Sequence, residues 1–281
     1  MRIINTIFEK DIDLSIFQPY KINCEKCCGL CCVALCFTKS DGFPKDKKAG
    51  EVCENLQVNY KCKIHSKLSR QGLKGCVVYD CFGAGQFITR HLKLSHEWKS
   101  LLPKETEKII NSYLVVLRTH QTLWYLSQCL ILRLPQSEKE QAKFLINEGS
   151  TLIEKPIEML AVLDTKLFCE KSNAYLKRIC TVFQTHSYSA NKIQGKNYMG
   201  KNMKHKNLEK MDFSMSLLIA TNLEQANLCG ANFLGADMRD TNISNTDLSQ
   251  CLFLTQLQIN SAKGNSNTSL PSYLYKPKTW D

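Results

Sequence analysis

Apolar side chains recur every five residues along the C-terminal part of the chain. Small side chains stand two residues before the later apolar centres, and Asn or Asp precedes most of them, as with Ala231 and Asn232 before Phe233. A period of five matches neither an α-helix nor a β-strand, so the pattern predicts a chain that turns a corner once per repeat, a solenoid. The apolar centres are Tyr198, Met203, Leu208, Phe213, Leu218, Leu223, Leu228, Phe233, Met238, Ile243, Leu248 and Phe253.

The run NLEQANLCGANFLGADMRDTNISNTDLSQ resembles the pentapeptide-repeat family, A(D/N)LXX. The resemblance implies a right-handed quadrilateral β-helix of about three coils, with the apolar centre and the small residue pointing inward. Cys229 and Cys251 fall at ordinary repeat positions and are expected to be packing residues. A helix predicted over about 255–262 should cap the open edge of the final coil.

Helical spacing of apolar residues dominates the middle of the chain. It predicts one helix over about 104–134, a second after Pro135 and a third from Pro156 through 183. The polar segment 185–197 is expected to be a linker. Five residues on or near the apolar stripes are expected to be core residues rather than ligands: His120, Trp124, Cys129, Cys169 and Cys180.

These patterns predict a mixed α+β fold class with a helical bundle between two other domains. The predicted domains are a cysteine-rich metal-binding domain (1–96), a helical domain (97–185), a pentapeptide-repeat β-helix (196–254) and a C-terminal cap and tail (255–281).

Cysteines are concentrated towards the N-terminal end of the chain. Ten of the fifteen lie between Cys24 and Cys81, and CEKCCGLCCVALC alone holds six. A disulfide knot, a metal site and a redox centre are the three interpretations. The odd total leaves at least one cysteine without a disulfide partner, and the vicinal pairs fit relaxed disulfide geometry poorly. A chain of 281 residues can also bury a core without cross-links. A metal or redox site is therefore favoured.

A metal site needs three or four thiolates or imidazoles that converge on one point. If the first stretch is helical, Cys24, Cys27, Cys28 and Cys31 share one face. The GAGQ segment at 83–86 is expected to be a turn next to Cys81.

The opening C-x2-C-x3-CC, the later CKIH and the two closing cysteines resemble the YkgJ-type family of zinc- or iron-chelating domains, over about residues 24–90. The resemblance implies eight cysteine ligands, and His65 is a ninth candidate. Cys28 and Cys36 are additions to the family's pattern, and Cys28 is kept as a metal candidate. Eight soft ligands exceed one tetrahedral zinc, so an iron-sulphur cluster or iron ranks first and zinc second. The ligands that the resemblance implies are Cys24, Cys27, Cys31, Cys32, Cys53, Cys62, Cys76 and Cys81.

Charge and hydropathy narrow the range of expected partners and cellular locations of the protein. The formal net charge is +11, but no segment is a basic tail, which argues against nucleic acid as a partner. Metal-bound thiolates would balance part of the basic excess. No apolar run reaches the length of a membrane span, and the N-terminal segment lacks a signal-peptide pattern, so we expect a cytoplasmic protein that does not enter membranes.

Three functional hypotheses follow. The first is a cytoplasmic metalloprotein in which iron supports redox or metal-dependent oxidative chemistry, as in an oxidoreductase, with the repeats as a scaffold. The second is a non-enzymatic, zinc-stabilised protein-interaction module. The third, DNA mimicry by the repeats, is disfavoured because acidic and basic residues balance over 196–253. The sequence identifies neither a protein partner nor a small-molecule substrate.

Overall fold

The computed structural model describes residues 6–92, 98–183 and 196–280. Short 3-10 helices lie at Leu14–Tyr20, Cys24–Lys26, Lys39–Asp41, His65–Lys67, Trp98–Ser100 and Lys278–Trp280. The α-helices in these ranges are α1 (Leu30–Ala34), α2 (Lys74–Val78), α3 (Ala84–His91), α4 (Pro103–Ile131), α5 (Gln136–Ile153), α6 (Ile157–Leu160), α7 (Lys166–Phe183) and α8 (Gln256–Ser261).

The chain divides into two compact units. The first, here the repeat unit, comprises Met1–Ser15, Gln128–Lys139 and Asn173–Asp281. The second, here the cysteine unit, comprises Ile16–Ser127 and Glu140–Ser172. The predicted domain boundary at 96–97, and most of the predicted linker over 185–197, lie outside the described residues.

The predicted fold class is wrong. Residues 6–92, 98–183 and 196–280 contain no β-strand and no sheet, and their regular structure is mostly helical, so neither the mixed α+β class nor the quadrilateral β-helix is present. The reason is the length of the repeat. Five residues leave one bridged residue between successive turns, whereas a strand needs at least three consecutive residues.

Residues 196–253 form a stack of turns joined by isolated parallel bridges, here called the repeat stack. Asn202 bridges Asn222, which in turn bridges Asn242, so the chain returns to register every four repeats. After the centre Leu218, Ala220 takes a left-handed φ of 54°, and the Thr221 N–H donates to the Leu218 carbonyl at 2.9 Å. This turn supplies the corner that the period of five predicts.

The interior of the repeat stack is apolar, as the repeat pattern predicted. All twelve centres are buried, and Phe213 stacks on Phe233 with ring centroids 5.4 Å apart. The small residues also point inward, where the Thr241 hydroxyl donates to the Leu218 carbonyl at 2.8 Å. Cys251 is fully buried, and its thiol donates to the Leu228 carbonyl at 3.2 Å in the same way. Cys251 is therefore a packing residue, as expected.

Helix α8 covers carbonyl groups of the repeat stack. Thr255 and Gln258 form a capping box at its N-terminus. The Gln258 side-chain amide also donates to the carbonyls of Phe233 and Ala236, at 2.8 and 2.9 Å. The Phe233 carbonyl also accepts from the Ala236 N–H at 3.0 Å, so the Gln258 amide adds a second bond there. The helix over Gln256–Ser261 lies within the range predicted from the sequence.

The two long helices predicted in the middle of the chain are present as α4 and α5. The third prediction is only partly correct, because residues 161–165 separate α6 from α7. Asp164 accepts a hydrogen bond from the Lys166 N–H at 2.8 Å and so starts a new helix there. Of the predicted core residues, Cys169 is half-buried and four are buried: His120, Trp124, Cys129 and Cys180. None of the helices in the described ranges could cross a membrane.

His120 lies in the core of the cysteine unit, between the edges of Tyr20 and Phe87. Its Nδ1 lies 2.7 Å from the Phe82 carbonyl and must therefore donate to it. The pKa of His120 is lowered from 6.5 to about 4, mainly by burial and also by the positive Arg90, while the hydrogen bond to the Phe82 carbonyl opposes the shift. The ring is neutral in the folded protein at pH 7.

We expect acid to destabilise the protein through His120. Between pH 6.5 and 4 the unfolded chain binds a proton that the folded one refuses, so the stability falls as the pH falls. The loss by pH 4 is about 3 kcal/mol relative to His120→Gln, which keeps a donor for the Phe82 carbonyl. Urea unfolding of both proteins at pH 7, 5.5 and 4 measures it. Parallel stability curves would contradict the prediction.

Candidate metal centre

The segment from Cys24 to Cys36 is not one helix. Asn23 caps a 3-10 turn over Cys24–Lys26, and Gly29 then takes a left-handed φ of 80° before α1 begins at Leu30. A Cβ at Gly29 would lie 2.5 Å from the Leu56 side chain, so only glycine fits there. The hypothesis that Cys24, Cys27, Cys28 and Cys31 share one helical face is therefore wrong.

Backbone hydrogen bonds bring Cys53 and Cys62 to α1. The Cys53 N–H donates to the Cys32 carbonyl at 3.0 Å. A short hairpin, in which Leu56 bridges Cys62 and Tyr60 takes a φ of 63° in the turn, then returns the chain. Cysteines that are distant in sequence thus come within one small region.

Three thiols lie in a row at the middle of this region. The Cys32 thiol lies within hydrogen-bonding reach of both Cys31 and Cys53, and its single proton serves one of them at a time. A hydrogen bond from Cys32 lowers the pKa of Cys53 to about 6, with help from the Asn55 N–H and the positive Lys47. A hydrogen bond from Cys32 to Cys31 likewise lowers the pKa of the buried Cys31. Cys32, as the donor, has its pKa raised.

Cys27 and Cys81 meet on the surface of α3. A Cβ added to Gly85 would lie 2.7 Å from the Cys27 Sγ and 3.7 Å from the Cys81 Sγ, so both sulphur atoms rest on this glycine. Asp80 accepts from the Phe82 N–H at 2.8 Å and Gly83 takes a φ of 73°, which together form a turn just before α3. The turn expected over GAGQ at 83–86 is therefore misplaced, because residues 84–86 already belong to α3. Burial raises the pKa of Cys81 to about 12.

Two further cysteines border the row of thiols. The pKa of Cys76 is raised to about 12, mainly by burial and also by negative charge on Cys31, Cys53 and Cys62. The pKa of Cys24 is raised to about 11, mainly by burial and also by negative charge on Cys31 and Cys27. Ionising one of these thiols therefore makes the others harder to ionise.

The remaining candidates lie elsewhere. Cys28 faces the core, where its N–H donates to the Thr89 hydroxyl at 3.0 Å and the hydroxyl donates to its sulphur at 3.3 Å. Cys36 and His65 are exposed.

Two lysines beside the thiols escaped the sequence interpretation. The Lys47 ammonium donates to the carbonyls of Val33, Lys48 and Glu51, at 3.3, 3.0 and 2.7 Å. The Lys61 ammonium donates to the carbonyls of Cys24 and Glu25, at 3.4 and 2.5 Å. Both stabilise negative charge on nearby thiolates. In a chain with many lysines, sequence gave no signal that singled out these two.

The thiols share a region without forming a coordination shell. Within the described ranges, no three His, Cys, Asp or Glu side chains form a group that could hold a metal ion. None of the fifteen cysteines, all of which lie in the described ranges, forms a disulfide. The donor set suits a soft metal ion chemically, and the sulphur atoms would have to shift to surround one.

The repeats match a known family model. Residues 216–253 match the model described as Pentapeptide repeats, in eight copies. The chain thus contains pentapeptide repeats and carries a cysteine-rich segment nearer its N-terminus. It is also 34% identical over 270 residues to the Bacillus subtilis (strain 168) protein described as "Uncharacterized protein YybG", a match that covers 95% of this chain and 96% of the relative. The chain therefore belongs to the YybG family. No solved structure matches it.

Proposed function

We propose that this protein binds iron through the thiolates of its N-terminal cysteine-rich segment, as an iron-sulphur cluster or a multinuclear iron site. The metal would support redox or metal-dependent oxidative chemistry, and the repeat stack would act as a scaffold. The YkgJ-type resemblance of residues 24–90 points to the same metal-chelating role.

The observation that carries the proposal is the row of thiols formed by Cys31, Cys32 and Cys53, with Cys24, Cys62 and Cys76 beside it. Thiolates crowded in this way repel one another, and a bound cation removes that repulsion. The positive charges of Lys47 and Lys61 offset only part of the negative charge on these thiolates. Soft thiolate donors favour iron-sulphur clusters, zinc or cuprous ions over magnesium and calcium.

The number of thiols favours iron. One structural zinc takes four ligands, whereas the eight candidates come from four separate stretches of sequence and suit a cluster or two metal ions. The candidate ligands also lie on turns and on helices of five residues or fewer, so they can shift when a metal binds. Metal binding and local ordering would then be coupled.

A second candidate function is structural zinc binding in a protein-interaction module. It is favoured by the small core that Phe37, Phe43 and Leu73 form between α1 and α2, with only a few apolar neighbours. A core of this size normally needs a metal or disulfides to hold it. Under this proposal the metal stabilises the fold and undergoes no redox change.

Metal analysis of anaerobically purified full-length protein separates the two functions. Iron with acid-labile sulphide and a visible absorbance that dithionite bleaches would support the first. Stoichiometric zinc, no colour and a large loss of stability on chelation would support the second. Protein that retains neither metal after purification and anaerobic reconstitution would refute both.

Replacing single cysteines tests the ligand set. Cys53→Ser and Cys31→Ser should lower the bound metal to background, because each removes a thiolate from the row that joins the other ligands. Cys229→Ser and Cys169→Ser serve as matched controls from other parts of the chain and should retain the full metal content. Elemental analysis and circular dichroism of the four variants give the result. A full metal load in Cys53→Ser and Cys31→Ser would refute the assignment.

A further inference from the structure

Positive charge is concentrated in one stretch of the cysteine unit. Residues 55–79 contain five lysine or arginine residues and no aspartate or glutamate, so this stretch supplies nearly half of the formal net charge of +11. All five side chains are exposed, and the function proposed above does not use them as a group. They are here called the basic surface: Lys61, Lys63, Lys67, Arg70 and Lys74.

Packing of the apolar residues leaves these cations on the outside. Ile64 and Leu68 pack with the buried Leu73 in the small core described above. The Lys67 N–H donates to the Ile64 carbonyl at 2.8 Å, and the Leu73 N–H donates to the Leu68 carbonyl at 3.1 Å, so tight turns hold the apolar residues there. The charged residues between them therefore face water on one compact segment of chain.

Carboxylates near the basic surface have other partners. Among the salt bridges of residues 6–92, 98–183 and 196–280, none includes a member of the basic surface. Asp41 packs near Gly75, but its carboxylate accepts from the Thr38 N–H and hydroxyl, at 3.0 and 2.7 Å. Glu54 pairs with Lys45 at 3.0 Å. The five cations therefore create a positive field that attracts an anionic partner.

The surroundings of these cations favour a folded acidic protein as that partner. The two aromatic residues of the stretch, Tyr60 and Tyr79, pack against the core of the cysteine unit, whereas single-stranded nucleic acids are held by exposed rings that stack on bases. The α-helix in this stretch, α2, has five residues, too few to read a groove of a duplex. Residues 61–74 expose no large apolar side chain that could enter a bilayer.

The basic surface borders the candidate metal ligands. Cys62 stands between two of its lysines, and Cys76 follows Lys74 by two residues. The Lys61 ammonium also donates to the Cys24 carbonyl at 3.4 Å. A protein that docked here would lie beside the thiols, and redox partners meet through small interfaces in which charge complementarity directs the association.

We propose that the basic surface is the docking site for a small acidic electron-transfer protein. The inference rests on the proposed redox function, because it makes this partner the source of electrons for the iron. In each encounter the reduced partner loses one electron and the iron held by the cysteines gains it, and no bond forms or breaks. The cations attract and orient the partner, so association depends steeply on salt.

Binding of a plant-type ferredoxin, used as a small acidic protein with an iron-sulphur cluster, tests the docking. Anaerobic titration calorimetry on the full-length protein at about 50 mM salt should give a dissociation constant below about 100 µM. The double variant Lys67→Glu, Arg70→Glu should bind about 10-fold more weakly, and so should the unaltered protein at about 300 mM salt. The matched double variant Lys104→Glu, Lys108→Glu makes the same charge change at exposed positions of α4 and should lose less than about 3-fold.

Stopped-flow oxidation of reduced ferredoxin by the iron-loaded protein measures the electron transfer. Its second-order rate constant should fall about 10-fold in Lys67→Glu, Arg70→Glu and stay within about 3-fold in the α4 variant. Equal ferredoxin binding by the two double variants, no binding at about 1 mM, or tighter binding of an RNA of about 20 nucleotides through the same cations would overturn the proposal. Ferredoxin that binds through Lys67 and Arg70 but transfers no electron would instead refute the redox function, and with it the electron-transfer role of the partner.

Discussion

Replacing Phe233 with alanine is expected to lower the free energy of unfolding of the repeat unit by about 3–5 kcal/mol. Phe233 is fully buried at the middle of the repeat stack and stacks on Phe213. Removing the ring leaves a cavity between successive layers, and the bridged backbone around it can relax only partly because turns on both sides fix it. Guanidinium unfolding followed by circular dichroism measures the change.

Two controls make the result specific. Phe233→Leu, which copies the leucine of neighbouring repeats, should cost about 1–2 kcal/mol because most of the apolar volume remains. Met215→Ala, at a position that is 60% exposed, should stay within about 0.5 kcal/mol. If Phe233→Ala were as stable as Phe233→Leu, the apolar side chain at this position would contribute nothing measurable to stability beyond its Cβ atom.

The repeat pattern predicted the inside of the stack but not its backbone. The period of five identifies which side chains are buried, since Leu218, Leu223 and Phe233 recur where the chain faces inward. It does not reveal how many residues pair between corners. The turn after Leu218 consumes Ile219 and Ala220 and leaves Asn222 as a lone bridged residue. The predicted strands are absent for this reason, although the inward pattern is correct.

The sequence predicted which cysteines are candidate ligands, whereas the structure shows which of them lie close together. Vicinal Cys31 and Cys32 suggested a shared site, but their link to Cys53 depends on the bond from the Cys53 N–H to the Cys32 carbonyl. The break at Gly29 depends on a positive φ that a helical pattern does not show. Long-range backbone contacts of this kind leave no periodic signal, so spacing alone could not place Cys28 in the core.

His120 was correctly expected in the core from its place on an apolar stripe, and its hydrogen bond to the Phe82 carbonyl explains how a polar ring is tolerated there. A core histidine and a ligand-facing one have the same sequence pattern, and only the surrounding atoms distinguish them.

On the proposed metal site, changing Gly85 to alanine is expected to weaken metal retention by about 10–100-fold, the usual cost of disturbing groups that support metal ligands. The new methyl group would lie 2.7 Å from the Cys27 Sγ, too close for any real contact, so the Cys27 side chain must move. Alanine is otherwise the better helix former by about 1 kcal/mol, so α3 should remain folded. The variant therefore separates the position of a sulphur atom from the stability of its helix.

The measurement is competition with a graded series of chelators, read as metal retained per protein. Gly200→Ala is the matched control: its φ of 68° strains an added side chain, but no atom lies within 4 Å of the new Cβ. It should cost about 1 kcal/mol of stability and leave metal retention unchanged. If both variants retain metal like the unaltered protein, Cys27 is not a ligand, and the site must be assembled from Cys31, Cys32, Cys53 and their neighbours alone.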